Sequence, residues 1–537
     1  MQRGFAFSAG LAVTRAQTQM SRVATWWWSR RLGVAGWIAV AAFAALAGRF
    51  WHPAYGFTKF LQIDETDQAV GIHELRENPI YFYAGRNGYD GTFYAQIAFH
   101  PLLDTPELAA IDNLPYRARR ILGSAVAWVL AGGEPGRIAN VYAALNLGVW
   151  LALAALLWRL LPVRDVRGWV AWAGLLFSAG VLHAVRLALT DLPGMALFAV
   201  AMWLAERGRS RLAAGALAAG ALARETVLIN VVALWRGPWN LPRAWLANLG
   251  RVVAVAVPLA AWMVYVRWRT GAADPGLGNF TWPLAGLAEK WIATLAGFAG
   301  QPAFVWLKLT TLFATLGLTV QAVYLCRKWQ PDDAWWRAGI VSVAMMAMLG
   351  GAVWEGHPGA AARVLLPMSL AFAVLTIRRR AGWAWLILGN ATVLSGVLAL
   401  WHVPQDEREV AAGRFDRGSY VVRLDDGWSG RESGGGHVWA WAAQHGRLAI
   451  ETWPQAGAPV SIKLAMRALA PRTVEIRQDA TVLWRGEVGP KLQTVEFRGV
   501  RAGVSALQFS AAAPPVREGG MPDARELGFA VYDCRIE

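Results

Sequence analysis

The sequence predicts a polytopic α-helical membrane protein that ends in an all-β sandwich or jelly-roll domain. Three observations carry that prediction. Hydrophobic residues make up 56% of the 537-residue chain and charged residues only 16%, against roughly 25% charged in a soluble domain. Residues 1 to about 405 hold repeated apolar runs of about 18–22 residues, long enough to cross a ~30 Å hydrocarbon core. From residue 412 onward the apolar pattern becomes short and alternating. The domains expected are a cytoplasmic segment 1–31, a transmembrane domain 32–405 with a large outer loop 51–137, and an extracytoplasmic β domain 412–537.

The charges orient the helices. A formal net charge of +16 would suggest a nucleic-acid partner in a soluble protein. Here arginine collects in short loops between apolar runs, which is the pattern that sets membrane topology, so lipid and not nucleic acid is the expected surrounding. The two cysteines, Cys326 and Cys534, offer neither a disulfide framework nor a metal-ligand spacing.

Arg30 and Arg31 precede the first helix, about 32–50, which is read as retained and as starting in the cytoplasm. Loop 51–137 then lies outside. The 138–161 helix returns to Arg159, Arg164 and Arg167. Helices 168–186 and 190–206 go out and back, reaching Arg207, Arg209 and Arg211. Segment 211–235 is interrupted by Arg224-Glu225. One span would leave both charges at mid-membrane at about 2.5–3.5 kcal/mol each, and the following loop, Arg236 to Arg251, is basic again. The segment is therefore read as two short or re-entrant helices meeting near Arg224-Glu225 on the outer side. Helix 250–268 leads out to loop 269–300, which holds Asp274-Pro275-Gly276 and an interfacial helix over 283–299. Helix 303–326 returns to Arg327-Lys328, and 338–354 goes out to Glu355-Gly356-His357-Pro358. Helix 360–377 returns to Arg378-Arg379-Arg380, and 382–402 goes out. These are about eleven apolar crossings, two of them short, with every basic loop on one side. The expected location is a bacterial inner or plasma membrane, with loop 51–137 and the tail facing the periplasm.

In the tail, 419–424, 447–452, 460–465, 473–478 and 493–497 alternate apolar and polar residues between Gly, Pro and Asp turns. Period-two alternation marks half-buried antiparallel strands, and many short strands at near-regular spacing suggest a sandwich or jelly roll.

Under this topology the costly ionisable residues all fall on the outer side: the loop acids, Arg186, Asp191, Arg224, Glu225, Glu355, His357 and Arg363. Such groups pair with one another or line a polar pathway. Arg224–Glu225 and Arg186–Asp191 are thus either ion pairs that fasten helices or parts of a shared polar cavity. In loop 51–137, Gly88-Tyr89-Asp90-Gly91-Thr92-Phe93-Tyr94 places an acid between glycines that allow close backbone approach. Asp90 is a helix N-cap or a general base held beside the aromatic walls Tyr89 and Tyr94. Asp64, Glu65 and Asp67 are a solvated acidic turn or ligands for a divalent cation, Mg²⁺ or Mn²⁺, with Asp64 a second candidate base. Arg117, Arg119 and Arg120 suit a lipid-linked phosphate, which guanidinium holds bidentately, or a lipid headgroup at the interface. Glu355, His357 and Arg363 are candidates for the same phosphate.

At these residues the chain resembles the GT-C glycosyltransferases, polytopic enzymes that use polyprenyl-phosphate sugars, and within them bacterial mannosyltransferase-like and PIG-V-like members. The resemblance covers about 30–400. It rests on the first-loop motif Gly88 to Ala98, on Asp191-Leu192-Pro193 at a helix start, and on Ala223-Arg224-Glu225-Thr226. It implies an inverting sugar transfer from a polyprenyl-phosphate donor to a glycan or lipid acceptor, with a first-loop Asp as base. That role maps onto Asp90 first and Asp64 second. The chain departs from the pattern in lacking a compact Asp-Glu pair just after the first helix. The tail resembles the jelly-roll module that follows some bacterial membrane proteins, through Asp425-Asp426-Gly427-Trp428 and Asp523 to Phe529. Its Trp428, Trp439 and Trp441 are carbohydrate contacts or core. A transporter or flippase of lipid-linked sugars, and a non-catalytic envelope-assembly protein, are the alternatives.

Overall fold

In the computed structural model the chain forms a helical domain followed by a β domain. The structure describes residues 31–85, 88–237, 242–272, 276–299, 304–416, 418–454, 457, 459–517 and 525–537. The segment up to Arg30 and, among the stretches singled out above, Asn87, Asp274, Pro275, Asp523 and Ala524 lie outside the described residues.

Five helices are long and apolar enough to cross a membrane: Arg31–Gly48, Pro135–Leu160, Val166–Arg186, Pro242–Thr270 and Val305–Arg327. The other expected crossings are shorter helices, Asp191–Glu206, Ser210–Ala223, Ala334–Met348, Leu366–Arg378 and Trp383–Ala399. Segment 211–235 breaks at the charged pair, as expected. Helix Ser210–Ala223 stops at Arg224, whose backbone is extended, and Glu225–Leu234 continues as a 3₁₀ helix packed back on it. Where the sequence predicts an interfacial helix, over 283–299, a helix forms over Ala285–Ala299. Loop 51–137 holds the helix that an N-cap at Asp90 would start, and several more besides. It contains helices Glu65–Val70, Gly91–Phe99 and Leu114–Ala118, and the apolar helix Ile121–Ala131. At eleven residues that helix is too short to be found by a search for runs of about 20.

Glycine sets how closely the helices meet where this matters for function. A Cβ on Gly180 would stand 2.2 Å from the carbonyl oxygen of Ala362. Only a bare backbone allows helix Ala179–Arg186 to press on Ala361–Val364, and that contact fixes Arg363.

The β domain is a sandwich of two antiparallel sheets. One has six strands, in the order Thr481–Val488, Arg472–Gln478, Leu507–Ala511, His445–Trp453, Gly418–Leu424 and Glu409–Phe415. The other has five: Gln493–Arg501, Pro459–Ala468, Phe529–Ile536, His437–Ala442 and Trp428–Gly434. The alternation read from sequence is what builds it. Val474, Ile476 and Gln478 turn inward while Thr473, Glu475 and Arg477 turn out, because successive side chains of a strand leave opposite faces. Cys534 is buried in this core, and burial pushes its thiol up to about 12.

The sandwich rests on the start of loop 51–137. Ala54, Tyr55 and Tyr81 pack with Val421, and Trp453 meets Tyr55 edge-on with ring centroids 5.9 Å apart. His52 Nε2 lies 2.8 Å from Glu409 Oε1, and Lys59 Nζ donates to the Pro404 carbonyl at 3.2 Å. Arg423 is the hub: it donates to Asp406 at 2.8 Å and pairs closely with Glu451 and the Tyr55 hydroxyl. Removing Arg423 leaves Asp406 and Glu451, both half-buried acids, without their shared counter-charge. Arg423→Ala is therefore expected to loosen the sandwich from the loop, read as faster proteolytic cleavage within 400–408 with the sandwich itself still folded.

Candidate functional site

Asp90 sits one residue before helix Gly91–Phe99. Its side chain makes no capping hydrogen bond, so the N-cap reading fails. Its carboxylate instead meets Arg117 Nη1 at 2.9 Å. Gly91 makes this placement possible, since a Cβ there would stand 2.4 Å from the Leu187 carbonyl oxygen and 2.8 Å from that of Leu61. The helix start is thus pressed against the end of Ala179–Arg186.

Arg117, Arg119 and Arg120 come from helix Leu114–Ala118 and its exit. Asn113 caps this helix from a left-handed backbone, accepting from Tyr116 N at 3.3 Å. Arg120 is almost wholly spoken for. Its Nε and Nη2 donate to the two oxygens of Glu225 at 2.8 and 2.7 Å, Nη1 to the Tyr94 hydroxyl at 2.6 Å, and Nη2 also to the Tyr116 hydroxyl at 2.8 Å. Arg119 Nη2 adds a 2.9 Å bond to Glu225. Asp191, its side chain only 1% exposed, stands between Arg224 Nε at 3.3 Å and Arg363 Nη1 at 3.2 Å. Arg363 Nη2 donates to the Tyr89 hydroxyl at 2.7 Å.

Of the two alternatives the sequence leaves open, the local ion pairs Arg224–Glu225 and Arg186–Asp191 do not form. Arg224 goes to Asp191 and Glu225 goes to Arg119 and Arg120. Arg186 turns to the Tyr83 hydroxyl at 2.9 Å and the Lys59 carbonyl at 3.4 Å. Residues adjacent in sequence at the break near 224 point to different partners because the backbone there is extended, and successive side chains then diverge.

Tyr89, Asp90, Arg117, Arg120, Arg224, Glu225 and Arg363 line one cavity of about 530 Å³. Tyr116, Arg119, Asn279 and Phe280 join them, and Met345, Leu349, Val353 and Val364 make an apolar wall. Burial pushes the Tyr116 phenol up, but the charges of Arg120 and Arg224 outweigh it and hold the phenol below its ordinary value. The sequence offers no signal for Asn279 and Phe280, which arrive from a polar turn far along the chain.

Tyr94, Glu355, His357 and Asp64 stand apart from this cavity. Tyr94 is fully buried, with its hydroxyl bound to Arg120; it supports the site without reaching the cavity. Glu355 and His357 line a separate cavity of about 400 Å³, with Glu289, Lys290 and Thr311. There His357 Nδ1 lies 2.8 Å from Thr311 Oγ1 and Lys290 Nζ donates to Gly356 O at 2.7 Å. Asp64 is a helix cap, not a second base. Its oxygens accept from Asp67 N at 2.8 Å and Gly88 N at 2.9 Å, and it does not line the cavity.

Asp64 and Asp67 do converge, since a Cβ on Gly88 would stand 2.6 Å from Asp67 Oδ2 and 3.1 Å from Asp64 Oδ2. They do not make a fitting Mg²⁺ or Mn²⁺ site. Such a cation seeks about six oxygens, and one of these two carboxylates is already taken up by backbone N–H groups. No family model matches the chain, and no curated protein matches it in sequence.

Burial, and then the charge of Asp64, hold the Asp67 carboxyl above its ordinary value. A raised acid favours the protonated form in the fold, so its contribution to stability is greatest at low pH and is lost as pH rises through the folded-state pKa. Asp67→Asn is expected to raise the Tm at neutral pH and to change it little below the ordinary carboxylate range. Thermal melts at the two pH values check this, and a lower Tm at neutral pH would mean that the Asp67 charge is in use.

Proposed function

We propose that this protein is a membrane glycosyltransferase of the GT-C type, moving a sugar from a polyprenyl-phosphate donor to a glycan or lipid acceptor outside the cytoplasm. The observation that carries the proposal is the mixed lining of the cavity, in which five arginines, the carboxylate of Asp90 and the apolar Met345, Leu349, Val353 and Val364 meet. A lipid-linked phosphate presents a matching combination, an anionic head on an apolar chain. Five arginines, Arg117, Arg119, Arg120, Arg224 and Arg363, face four carboxylates, Asp90, Asp112, Asp191 and Glu225, so the balance favours an anion. Arginine also matches phosphate oxygens with paired N–H donors.

The residues suggest the order of events. The donor phosphate lies toward Arg224 and Arg363, with its chain along Met345, Leu349 and Val353. The acceptor hydroxyl approaches Asp90, which takes its proton. The acceptor oxygen bonds to the anomeric carbon from the face opposite the phosphate. The carbon–oxygen bond to phosphate breaks with its electron pair, and the arginines meet the charge left on the phosphate. Transfer inverts the anomeric carbon. Arg117 holds Asp90 in position before the acceptor arrives. The basic loops support an outward-facing cavity, with about eleven crossings in all.

Asp90→Asn is expected to reduce sugar transfer from a polyprenyl-phosphate donor by about 10²–10⁴-fold, the usual contribution of a positioned base, with the protein still folded by its thermal melt. Transfer assays in detergent or liposomes measure it. Full activity in the variant would remove Asp90 as base. Wild-type protein that moves lipid-linked sugars across liposomes without transferring them would favour a flippase instead.

A further inference from the structure

A second cluster of ionisable side chains lies on loop 51–137, outside the cavity. His73 and Glu74 stand at the start of helix Glu74–Glu77, and Glu107 lies in the 3₁₀ helix Pro106–Ala110. One ligand atom from each lies within 4.8 Å of the other two. We infer that His73, Glu74 and Glu107 form a binding site for a divalent transition-metal ion of the Zn²⁺ class.

The donor geometry favours an ion over a proton. His73 Nδ1 lies 3.4 Å from Glu74 Oε2 and 3.1 Å from both oxygens of Glu107. A single imidazole N–H cannot point at three oxygens, whereas a lone pair there can share an ion with two carboxylates. Ligand atoms placed tetrahedrally at Zn²⁺ distances of roughly 2.0–2.2 Å stand roughly 3.3–3.6 Å apart, close to the two histidine–carboxylate separations of 3.4 and 3.1 Å. Glu74 is 8% exposed, and its Oε2 is buried without a hydrogen bond. An orphaned buried carboxylate oxygen is costly, and an ion would satisfy it. One nitrogen with two carboxylate oxygens suits a borderline metal better than Mg²⁺ or Ca²⁺.

The surroundings resemble a supporting shell. The other oxygen of Glu74 lies 2.8 Å from His100 Nε2, and His100 Nδ1 lies 3.1 Å from Asp104 Oδ1. The backbone N–H of His73 donates to Glu107 Oε2 at 2.7 Å. Hydrogen bonds of this kind to the far side of a ligand fix how its carboxylate is aimed. His100 also closes the helix Gly91–Phe99 that begins beside Asp90. An ion at this site would pin the far end of the helix that carries the proposed base, with no part in chemistry. The inference does not depend on the transfer reaction.

The test uses purified full-length protein stripped with chelator and titrated with Zn²⁺, Mn²⁺ or Ca²⁺. Metal content and Tm are both read. One Zn²⁺ per chain and a raised Tm are expected, with weaker or no response to Ca²⁺. Glu107→Gln and His73→Asn, both at accessible positions, should abolish the bound ion and the Tm increment while leaving the metal-free Tm near that of the parent. His100→Gln should weaken binding about 10–100-fold, and Asp67→Asn should leave it intact. The inference is overturned if no saturable Zn²⁺ binds, if Glu107→Gln and His73→Asn bind as the parent does, if Asp67→Asn is the variant that loses the ion, or if Ca²⁺ binds in preference.

Discussion

The buried carboxylate of Asp191 is the constraint on which the helical domain's polar end depends. With a side chain 1% exposed, it would be prohibitively costly if unpaired. Arg224 and Arg363 compensate it from two different directions, and each is itself confined by what it touches. Arg224 marks the break between helix Ser210–Ala223 and the 3₁₀ segment. Arg363 sits where Gly180 lets two helices meet, and it reaches on to Tyr89 in loop 51–137. One acid therefore ties together the start of its own helix, the broken segment, the 361–364 turn and the loop. Breaking any of these pairs would strand a charge, so the geometry of the cavity follows from charge compensation as much as from apolar packing.

Glu225 does the same for the other half. It gathers Arg119 and Arg120, and Arg120 in turn orients Tyr94 and Tyr116. The loop is thus anchored at two points by acids that the helices supply. On its other flank it is covered by the β domain through Tyr55, Tyr81 and the Arg423 hub. The long first loop is a folded layer between the helices and the sandwich, stabilised from both sides. This accounts for its short helices, which could not hold alone in water.

Much of the fold was legible because it is periodic. Apolar runs mark the long helices, and alternation marks half-buried strands such as 473–478, which forms over Arg472–Gln478. The break at Arg224-Glu225 was legible too, because two charges in an apolar stretch have a known cost. The pairing was not. Arg186 with Asp191, and Arg224 with Glu225, are close in sequence, but helix geometry and the extended backbone at 224 send them to distant partners. Asp64 looked like Asp90 in sequence, an acid in a loop beside aromatics. Only the backbone N–H groups of Asp67 and Gly88 show that it caps a helix. Glu355 and His357 share a loop with the Arg363 turn but face a different cavity. Composition identifies which residues are expensive; it cannot say which cavity each one serves.

The distribution of satisfied and unsatisfied donors separates scaffold from working surface. Arg120 spends its Nε and both Nη groups on Glu225 and two tyrosines, and it is the most enclosed of the arginines. A ligand could displace those bonds only by replacing them all. Arg224 differs: its Nε approaches Asp191 at 3.3 Å without forming a hydrogen bond, and Asp191 Oδ1 likewise has none. Arg117 also keeps a buried Nε without a hydrogen-bond partner while its Nη1 holds Asp90. Buried polar atoms left in this condition carry a cost of about 1–3 kcal/mol each, and a native fold retains them where something else completes the set. Arg117 and Arg224 line the cavity with Asp90 and Tyr89, while Asp191 lies behind Arg224 and Arg363. Glu225 and Arg120 form the rigid side. An anionic ligand entering the cavity would meet the open donors of Arg117 and Arg224, without having to break the bonds that hold the fold together.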